Sequence, residues 1–400
     1  MNNLKYDYVI AGAGIIGLTI ARSLLNKGFK NIVVIEKESG TGFHSTGRNS
    51  GVIHSGIYYP TDSMKAQFCA TGNIKMRQFA DQNNISYHKT GKVIVATDKE
   101  QLPQIELLYE RGIANSVNVK KINRKELSEI EPAALSALDT ALFCADTSVI
   151  DPKKVLLALE NELKNSGVNI IFNEEITSLH SDKNEVITAK NNKYYFEHFI
   201  NCAGSHADKI AHLDGVGLEY KILPFKGLYR KLTPAAADLF KGSIYPLPDL
   251  RFPFLGVHIT RGIYGDVYVG PTAIPALGRE NYTLMSGLEV SDIFSITQSL
   301  ATMYFHNNDN FRSYVKTELA KYTDHGFWKS VSLLSNKVQL TDLLITPKVG
   351  IRAQLYNIKT RKLMLDFKLE KTKKSTHILN AISPAFTCGF TFADYVVNQL

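Results

Sequence analysis

Three glycines and one acid near the start of the chain have the spacing of a phosphate-binding site. Gly12, Gly14 and Gly17 follow the pattern G-x-G-x-x-G, and Glu36 closes the next apolar run. In such a pattern the first glycine permits a tight turn, the second lets the backbone meet a pyrophosphate, and the third lets a helix pack closely on a strand. The acid accepts hydrogen bonds from ribose hydroxyls, which disfavours a 2′-phosphate. These residues predict a dinucleotide site.

The elements that must position these residues can be read from the apolar pattern. "YDYVIA" and "NIVVIE" are short apolar runs rich in β-branched residues, as in buried parallel strands. Between them, Ile16, Ile20 and Leu24 predict the buried face of a helix that ends at Gly28. The amides at the start of that helix would face the phosphates. Strand, glycines, helix, strand and acid therefore stand in the order of a βαβ nucleotide-binding unit.

A polar loop, "HSTGRNSGVIHSGIYYP", runs from His44 to Pro60 soon after the second strand. It has neither helix nor strand period, and it places hydrogen-bonding side chains among small residues that let a ligand approach the backbone. The glycine pattern alone does not choose between NAD and FAD. NAD enzymes usually continue from the second strand into another helix, whereas an extended loop leaves room for a second ring system. The loop therefore favours FAD, with an NAD-dependent dehydrogenase as the alternative.

Together with "VIEKE", the glycine pattern and this loop resemble the FAD-dependent oxidoreductases of the D-amino-acid oxidase superfamily. Within it, the chain resembles the L-2-hydroxyglutarate oxidase/dehydrogenase family. The segments "SVIDPKKV", "FINCAGSHAD", "RFPFLGVHIT", "VGIRAQ" and "NAISPAFT" extend the resemblance over nearly the whole chain, most weakly over 286–334. Phe386 and Cys388 stand where the pattern has smaller residues. The resemblance implies FAD and the oxidation of L-2-hydroxyglutarate to 2-oxoglutarate by hydride transfer to flavin.

The pattern and the resemblance together indicate which residues contact the cofactor. The set is Gly12, Gly14, Gly17, Glu36, Thr46, Asn49, Ser50, Gly51, Val52, Ile176, Ala203, Gly204 and Ser383. The three polar side chains of the loop are expected at the pyrophosphate and ribityl oxygens. The backbone amides of Gly51 and Val52 are expected at the isoalloxazine edge, and the backbone of Ile176 at the adenine. For Arg48, a pyrophosphate contact and a surface ion pair are both open.

Two histidines are candidates for the catalytic base. His54 lies in the polar loop, and the ordinary histidine pKa of about 6.5 suits removal of a hydroxyl proton as the hydride leaves. It could instead contact the flavin, link to it covalently, or simply pack in the core. His258, in "FPFLGVHIT", is the competing base.

The substrate carboxylate is expected at Arg352. In "VGIRAQ" this residue resembles the superfamily's glycine-x-arginine motif, which clamps a carboxylate; a structural salt bridge is the alternative. A bidentate arginine–carboxylate pair would hold a 2-hydroxy acid in position for hydride transfer. A dicarboxylate needs a second polar contact, for which Arg251, Tyr59 and Lys226 are candidates.

Composition limits the remaining possibilities. The net charge of +8 is dispersed, so it suits an acidic substrate or an anionic lipid surface without arguing for nucleic acid. Four cysteines lie far apart with no C-x-x-C pair, which disfavours a metal site or a disulfide framework. No apolar run reaches the roughly 18 residues of a spanning helix. The first strand begins almost at once, so we expect a cytoplasmic protein, with peripheral attachment to the inner membrane as the alternative.

The cofactor segments lie at the start, the middle and the end of the chain. We therefore predict an α/β fold, a doubly wound Rossmann-like FAD-binding domain formed by 1–85, 146–215 and 345–400. Alternating apolar patterns in 86–145 and 216–344 predict an inserted, mainly antiparallel β substrate domain with helices. Ligands in such folds bind at the carboxyl ends of the parallel strands, facing the second domain.

The chemistry leaves several functions open. Fold does not fix substrate, so the same reaction on another small 2-hydroxy acid or an amino acid is the main alternative. A flavin with a structural role is another, but such a flavin needs none of His54, His258 and Arg352. Oxygen and a membrane quinone are both open as the electron acceptor.

Overall fold

The structure, a computed structural model, describes residues 4–283 and 285–400. Its strands are β1 (Leu4–Ala11), β2 (Ile32–Ile35), β3 (Val52–Ile53), β4 (Tyr87–His88), β5 (Lys92–Val95), β6 (Val119–Asn123), β7 (Thr140–Cys144), β8 (Ser148–Ile150), β9 (Asn169–Ile171), β10 (Ile176–His180), β11 (Glu185–Thr188), β12 (Lys193–Asn201), β13 (Tyr220–Leu232), β14 (Ser243–Pro246), β15 (His258–Arg261), β16 (Val267–Gly270), β17 (Ile274–Pro275), β18 (Leu343–Asn357), β19 (Lys362–Leu363), β20 (Lys368–Lys371) and β21 (Ser375–Asn380). Its α-helices are α1 (Ile15–Asn26), α2 (Ser45–Arg48), α3 (Met64–Gln82), α4 (Leu102–Ala114), α5 (Arg124–Ile130), α6 (Pro152–Asn165), α7 (Ala207–Leu213), α8 (Pro234–Ala237), α9 (Val290–His306), α10 (Phe311–Ala320), α11 (Asp324–Ser332) and α12 (Ala385–Val397).

The first sheet has a parallel centre. It runs in the order β10-β11-β12-β1-β2-β9, and β21 joins it beside β12. β1 pairs in parallel with β2 and with β12, and β2 pairs in parallel with β9. All four residues of β2 are buried, as its continuous apolar run predicts. The predicted Rossmann-like α/β fold is therefore confirmed.

Helices α1, α6 and α12 carry the apolar residues that cover this sheet. α1 buries Ile16, Ile20 and Leu24, the predicted face. The side chain of Asp151 caps α6 by accepting the amides of Lys153 and Lys154. α12 packs against both α1 and α3, so the end of the chain returns to the glycine turn near its start. This packing fixes the first turn of α1 against the core.

The second sheet is mostly antiparallel, as predicted. Its order is β19-β18-β13-β16-β15-β14-β5-β7-β6, with β17 beside β13. β18 pairs with β13 from Tyr220 and Asn357 at one end to Leu232 and Leu343 at the other. This long antiparallel pairing places 345–357 in the second sheet, although that stretch was grouped with the cofactor domain from the sequence. The domain boundaries otherwise stay a prediction.

Helices α9 and α10 pack on the second sheet through a separate apolar cluster. Ile296, Met303 and Phe311 belong to one buried cluster with Leu223 and Phe225 of β13. Within the described residues, no helix combines the length and the apolar character that crossing a membrane requires.

Candidate active site

A cavity of about 550 Å³ runs between the two sheets. Most of the predicted cofactor residues line it: Gly12, Gly14, Glu36, Thr46, Asn49, Ser50, Val52, Ile176, Ala203, Gly204 and Ser383. The second sheet adds Tyr229, Tyr245, His258 and Arg352, and the polar loop adds His54. The fold thus brings most of the predicted cofactor residues and the three predicted catalytic residues to one cavity.

The glycine turn has the shape that a pyrophosphate needs. Gly12 has φ +99°, and a Cβ there would lie 2.6 Å from the carbonyl oxygen of Cys202. A Cβ on Gly17 would lie 2.0 Å from the carbonyl oxygen of Gly12, so this glycine allows close packing and does not line the cavity. At Gly14, by contrast, the nearest atom to a Cβ is Thr46 Oγ1 at 3.5 Å. The space beside Gly14, at the amino end of α1, therefore fits a phosphate group.

Glu36 is held at the carboxyl end of β2. One carboxylate oxygen accepts the amide of Ala13 at 2.8 Å, and the other accepts the amide of Glu38 at 3.0 Å. These bonds fix the carboxylate on the cavity wall and leave lone pairs for further donors. The arrangement fits recognition of ribose hydroxyls.

The polar loop is organised mainly by its own hydrogen bonds. Thr46 Oγ1 accepts the amide of Ile15 at 3.2 Å, which ties α2 to the start of α1. Asn49 donates to the carbonyl of Thr46 at 2.8 Å and accepts the amide of Gly51 at 2.7 Å. Gly51 does not line the cavity, and its amide, expected at the flavin edge, bonds to Asn49 instead. Of that predicted pair, Val52 alone lines the cavity.

Arg48 also lines the cavity. Its Nε donates to the carbonyl of Phe43 at 2.5 Å, and its guanidinium lies 3.9 Å from the ring centre of Tyr282. Within the described part of the chain it forms no ion pair with a carboxylate. The surface ion pair considered from the sequence is therefore absent there, and the guanidinium remains available on the cavity wall.

A short part of the loop after β17, which we call the clasp (residues 279–282), reaches the cofactor side of the cavity. Glu280 accepts hydrogen bonds from Lys37 and from His206, the latter at 2.8 Å. Burial opposes ionisation, but these two hydrogen bonds outweigh it and lower the pKa of Glu280 to about 2. The hydroxyl of Tyr282 bonds to His44 Nδ1 at 2.9 Å. Lys37, His44 and His206 all line the cavity, so the clasp bridges its walls.

Arg279 anchors the clasp. Its guanidinium binds Asp208 through two nitrogens, at 2.6 and 3.0 Å, and its Nε lies 3.2 Å from Asp292. All three side chains are buried. Sequence reasoning missed this segment, because its only signal was a pair of adjacent charged residues in "GRENY".

Arg352 is placed by β18, where it lies opposite Phe225 of β13. It is half-buried and lines both the main cavity and a smaller neighbouring cavity of about 230 Å³. Nη1 donates to the carbonyl of Pro253 at 2.6 Å, and no carboxylate among the described residues forms an ion pair with it. Burial lowers the pKa of Arg352, but a guanidinium stays protonated in proteins. The site therefore offers a positive fork that lacks an anionic partner within the described chain.

His258 is held in one tautomer. Its Nδ1 lies 2.9 Å from the carbonyl oxygen of Gly256. Because a carbonyl only accepts, Nδ1 carries the proton and Nε2 is left as an acceptor. The ring stacks on Tyr245 with centres 3.9 Å apart. Burial, together with the charges of Lys92 and Arg352, lowers the pKa of His258 to about 3 and keeps the imidazole neutral.

His54 is oriented through its backbone. Its amide donates to Thr387 Oγ1 at 3.0 Å, and its carbonyl accepts from Asn73 at 3.0 Å. Nδ1 is buried and has no hydrogen-bond partner among the described residues. Burial and the charge of Lys92 hold the pKa of His54 well below the ordinary value. Both candidate bases therefore line the cavity as neutral rings.

The three candidates for a second substrate contact do not line the main cavity. Arg251 is exposed, pairs with Asp249 at 2.6 Å, and borders the smaller cavity. Lys226 is buried and donates to Asn281 Oδ1 at 2.7 Å. Tyr59 is half-buried and lines neither cavity. Tyr245 does line the main cavity. Sequence reasoning missed it, because a tyrosine in a short strand carries no distinguishing signal.

Comparisons with known proteins agree with this geometry. The family model described as "FAD dependent oxidoreductase" matches residues 7–314. L-alpha-glycerophosphate oxidase from Mycoplasma pneumoniae with FAD bound has a TM-score of 0.78 at 20% sequence identity, covering 99% of this chain and 94% of that one. Glycine oxidase from Geobacillus kaustophilus has a TM-score of 0.72 at 14% identity, covering 100% and 95%. Fold and site define an FAD-dependent oxidoreductase, and FAD is its cofactor.

Curated relatives narrow the family. The L-2-hydroxyglutarate dehydrogenase of Escherichia coli (strain K12) is 35% identical over 398 residues, which cover 99% of this chain and 93% of that protein. The mitochondrial L-2-hydroxyglutarate dehydrogenase of Homo sapiens is 34% identical over 419 residues, which cover 99% and 89%. The chain belongs to the L-2-hydroxyglutarate dehydrogenase family, as its sequence patterns predicted.

Proposed function

We propose that this enzyme oxidises L-2-hydroxyglutarate to 2-oxoglutarate. The observation that carries the proposal is Arg352, a cation without a carboxylate partner in the described chain, which lines the same cavity as two neutral histidines. When bound, FAD would supply the redox chemistry as the hydride acceptor. The protein must then bind the substrate anion, orient its hydroxyl group and take up the hydroxyl proton.

Arg352 binds the carboxylate next to the hydroxyl-bearing carbon. One nitrogen is held by Pro253, so the planar group is fixed while its other donors remain for a bidentate contact. Fixing the carboxylate in this way restricts the adjacent carbon to one orientation. Positioning of this kind removes much of the entropic barrier to reaction.

His258 takes the hydroxyl proton through Nε2. The carbonyl of Gly256 holds the proton on Nδ1, so the acceptor nitrogen is defined before the substrate arrives. The low pKa of His258 applies to the protein without its anionic substrate. A dianion in the cavity offsets the charges of Lys92 and Arg352 and raises the proton affinity of the ring. His54 is the alternative base, and His258→Gln and His54→Gln, compared by their effect on kcat, distinguish the two.

The residues of the cofactor half would hold FAD in a defined order. Gly14 and the amino end of α1 would receive the pyrophosphate, and Glu36 the ribose. The backbone at Ile176 would lie at the adenine. Ser50, Val52 and Ser383 would contact the flavin portion.

Anaerobic bleaching of the flavin absorbance tests the proposal. The purified holoenzyme is mixed with L-2-hydroxyglutarate, D-2-hydroxyglutarate, L-lactate, L-glutamate or L-proline. We expect bleaching by L-2-hydroxyglutarate and none by its enantiomer. Bleaching by an amino acid alone would favour the second candidate, an amino acid oxidase, and bleaching by no compound would favour a structural flavin.

For the electron acceptor, we propose a quinone reached by peripheral attachment to an anionic membrane. The outer face of α9 carries Val290, Phe294 and Phe305, which are 86%, 73% and 72% exposed. The one ionised side chain of this helix, Asp292, is buried. An uncharged apolar face and a net charge of +8 suit an anionic lipid surface, where each nearby cation contributes about 1 kcal/mol.

Sedimentation with anionic vesicles at low and high salt tests the attachment. We expect binding at low salt that weakens as salt screens the charges. The double variant Phe294→Ser with Phe305→Ser should stay in the supernatant, and Leu157→Ser, an exposed leucine on α6, serves as the matched control. If the reduced wild-type protein stays in the supernatant at low salt, oxygen or a soluble carrier becomes the acceptor.

A further inference from the structure

A buried lysine lies directly behind the cavity wall. Lys92 occupies β5, an interior strand of the second sheet, and is 1% exposed. Its ammonium has no hydrogen-bond partner and forms no ion pair within the described residues. It lies 4.4 Å from the ring centre of Tyr58 and 4.9 Å from that of Tyr245. Lys92 is therefore a cation held between two aromatic rings.

Contacts with aromatic rings do not by themselves offset the free energy lost when an ammonium group is buried. A buried charge is strongly disfavoured unless it is paired, and cation–π contacts recover only part of the lost hydration. Burial accordingly lowers the pKa of Lys92. A ligand that brings an anion close to Lys92 would therefore be bound favourably.

Tyr245 connects this lysine to the cavity. It lines the cavity and stacks on His258, while the ammonium of Lys92 lies over the same ring. Its hydroxyl is buried and lies near the hydroxyl of Thr260, but no hydrogen bond of ordinary geometry engages it among the described residues. The wall beside His258 thus carries an unused donor with a positive charge behind it.

We propose that Tyr245 and Lys92 form the subsite for the second carboxylate of a dicarboxylate substrate. The hydroxyl of Tyr245 donates to that carboxylate, and the ammonium of Lys92 supplies the compensating charge. Arg352 takes the first carboxylate, so two cations without carboxylate partners in the described chain meet two substrate anions. This proposal rests on the proposed function and adds the residues that distinguish a dicarboxylate from a monocarboxylate.

Two other buried lysines have polar or charged groups near them. Lys226 donates to Asn281 and to the carbonyl of Thr283. Lys65 is buried; burial lowers its pKa to about 8 although the charge of Asp366 opposes that shift. Lys92 has no comparable carboxylate, which is why it rather than these two is assigned to the substrate.

Ligand binding to the holoenzyme tests the subsite without turnover. Flavin absorbance is titrated with 2-oxoglutarate and with 2-oxobutyrate, which lacks the second carboxylate. We expect Lys92→Met to raise the Kd of 2-oxoglutarate about tenfold to a hundredfold, the scale of a contact with a charged group, and to leave that of 2-oxobutyrate within about twofold. Tyr245→Phe keeps the stacked ring and should raise the Kd of 2-oxoglutarate alone, about threefold to tenfold.

The controls separate the possible failures. The assignment is wrong if Lys92→Met raises the Kd of both ligands equally or of neither. It is also wrong if Lys226→Met, rather than Lys92→Met, raises the Kd of 2-oxoglutarate selectively. If Lys92→Met fails to fold, Tyr245→Phe decides by the same selectivity. Should the wild-type enzyme bind 2-oxoglutarate selectively but not oxidise L-2-hydroxyglutarate, the proposed function fails while the subsite stands. A wild-type enzyme with no preference for the dicarboxylate would overturn the subsite itself.

Discussion

The two halves of the cavity are built in different ways. The cofactor half uses backbone: a glycine turn, the first turn of α1 and a loop that bonds to itself. The substrate half uses side chains from strands far apart in the chain, among them His258 and Arg352. A backbone site is encoded by a short local pattern and is damaged by any added side-chain volume. A side-chain site depends on strand register and is damaged by loss of one functional group.

The largest effect is expected from Gly14→Val, which tests whether the cofactor half is built from backbone. The nearest atom to a Cβ there is Thr46 Oγ1 at 3.5 Å, so the fold tolerates the side chain while its methyl groups fill the phosphate space. We expect a folded protein that purifies without FAD, seen by absorbance and circular dichroism. Gly17→Ala is the contrast, because its Cβ meets the Gly12 carbonyl at 2.0 Å and should lower stability instead. A Gly14→Val protein that retains FAD would mean that the pyrophosphate lies elsewhere.

In the substrate half, Arg352→Lys should leave flavin content normal and impair catalysis. Lysine keeps the charge but loses the planar fork, and with it one of two parallel hydrogen bonds. We expect a loss of roughly 1.5–3 kcal/mol, about tenfold to a hundredfold in kcat/KM. Unchanged steady-state kinetics would place the carboxylate at another residue.

Glu280→Gln tests whether the clasp joins the two halves. Glutamine keeps the shape but not the charge that pairs with Lys37, a half-buried contact worth about 1 kcal/mol. We expect FAD to dissociate about threefold to tenfold faster, as followed by recovery of flavin fluorescence after dilution. Glu289→Gln, which alters the more exposed pair with Lys209, is the control and should dissociate FAD at the wild-type rate. Equal rates in Glu280→Gln and the wild type would limit the clasp to a structural role.

Mild acid should lower the free energy of unfolding, in part through the substrate half. His258 has a folded-state pKa of about 3, below its unfolded value of about 6.5, so the unfolded chain binds more protons as pH falls below 6.5. Stability then drops by about 1.4 kcal/mol per pH unit for each such histidine. Glu280, with a pKa of about 2, acts in the same direction only below its unfolded value of about 4.5.

Thermal unfolding at pH 7, 6 and 5 measures this slope. His258→Gln should reduce the loss of Tm, whereas His306→Gln, an exposed histidine on α9, should leave it unchanged. An identical slope in all three proteins would show that His258 does not remain neutral in the folded protein.

Local sequence patterns were enough to predict the βαβ part of the cofactor half. The glycine spacing, the buried run of β2 and the acid at Glu36 lie close together in the chain, and helix and strand periodicity placed them correctly. The loop residues Thr46, Asn49 and Ser50 were predicted because they follow in the same local segment. Local encoding suffices there, because a backbone turn, its helix and the following strand form one contiguous unit.

In the substrate half the sequence named His258 and Arg352, but the tertiary structure decides which other side chains join them. The antiparallel pairing of β18 with β13 brings Arg352 to the cavity, and that of β14 with β15 brings Tyr245 beside His258. The same sheet places Lys92 behind the wall, while Arg251 and Lys226 are paired with other groups. Register between distant strands is set by the packing of the whole sheet, so no short pattern predicts which polar side chains meet in the cavity and which find partners elsewhere.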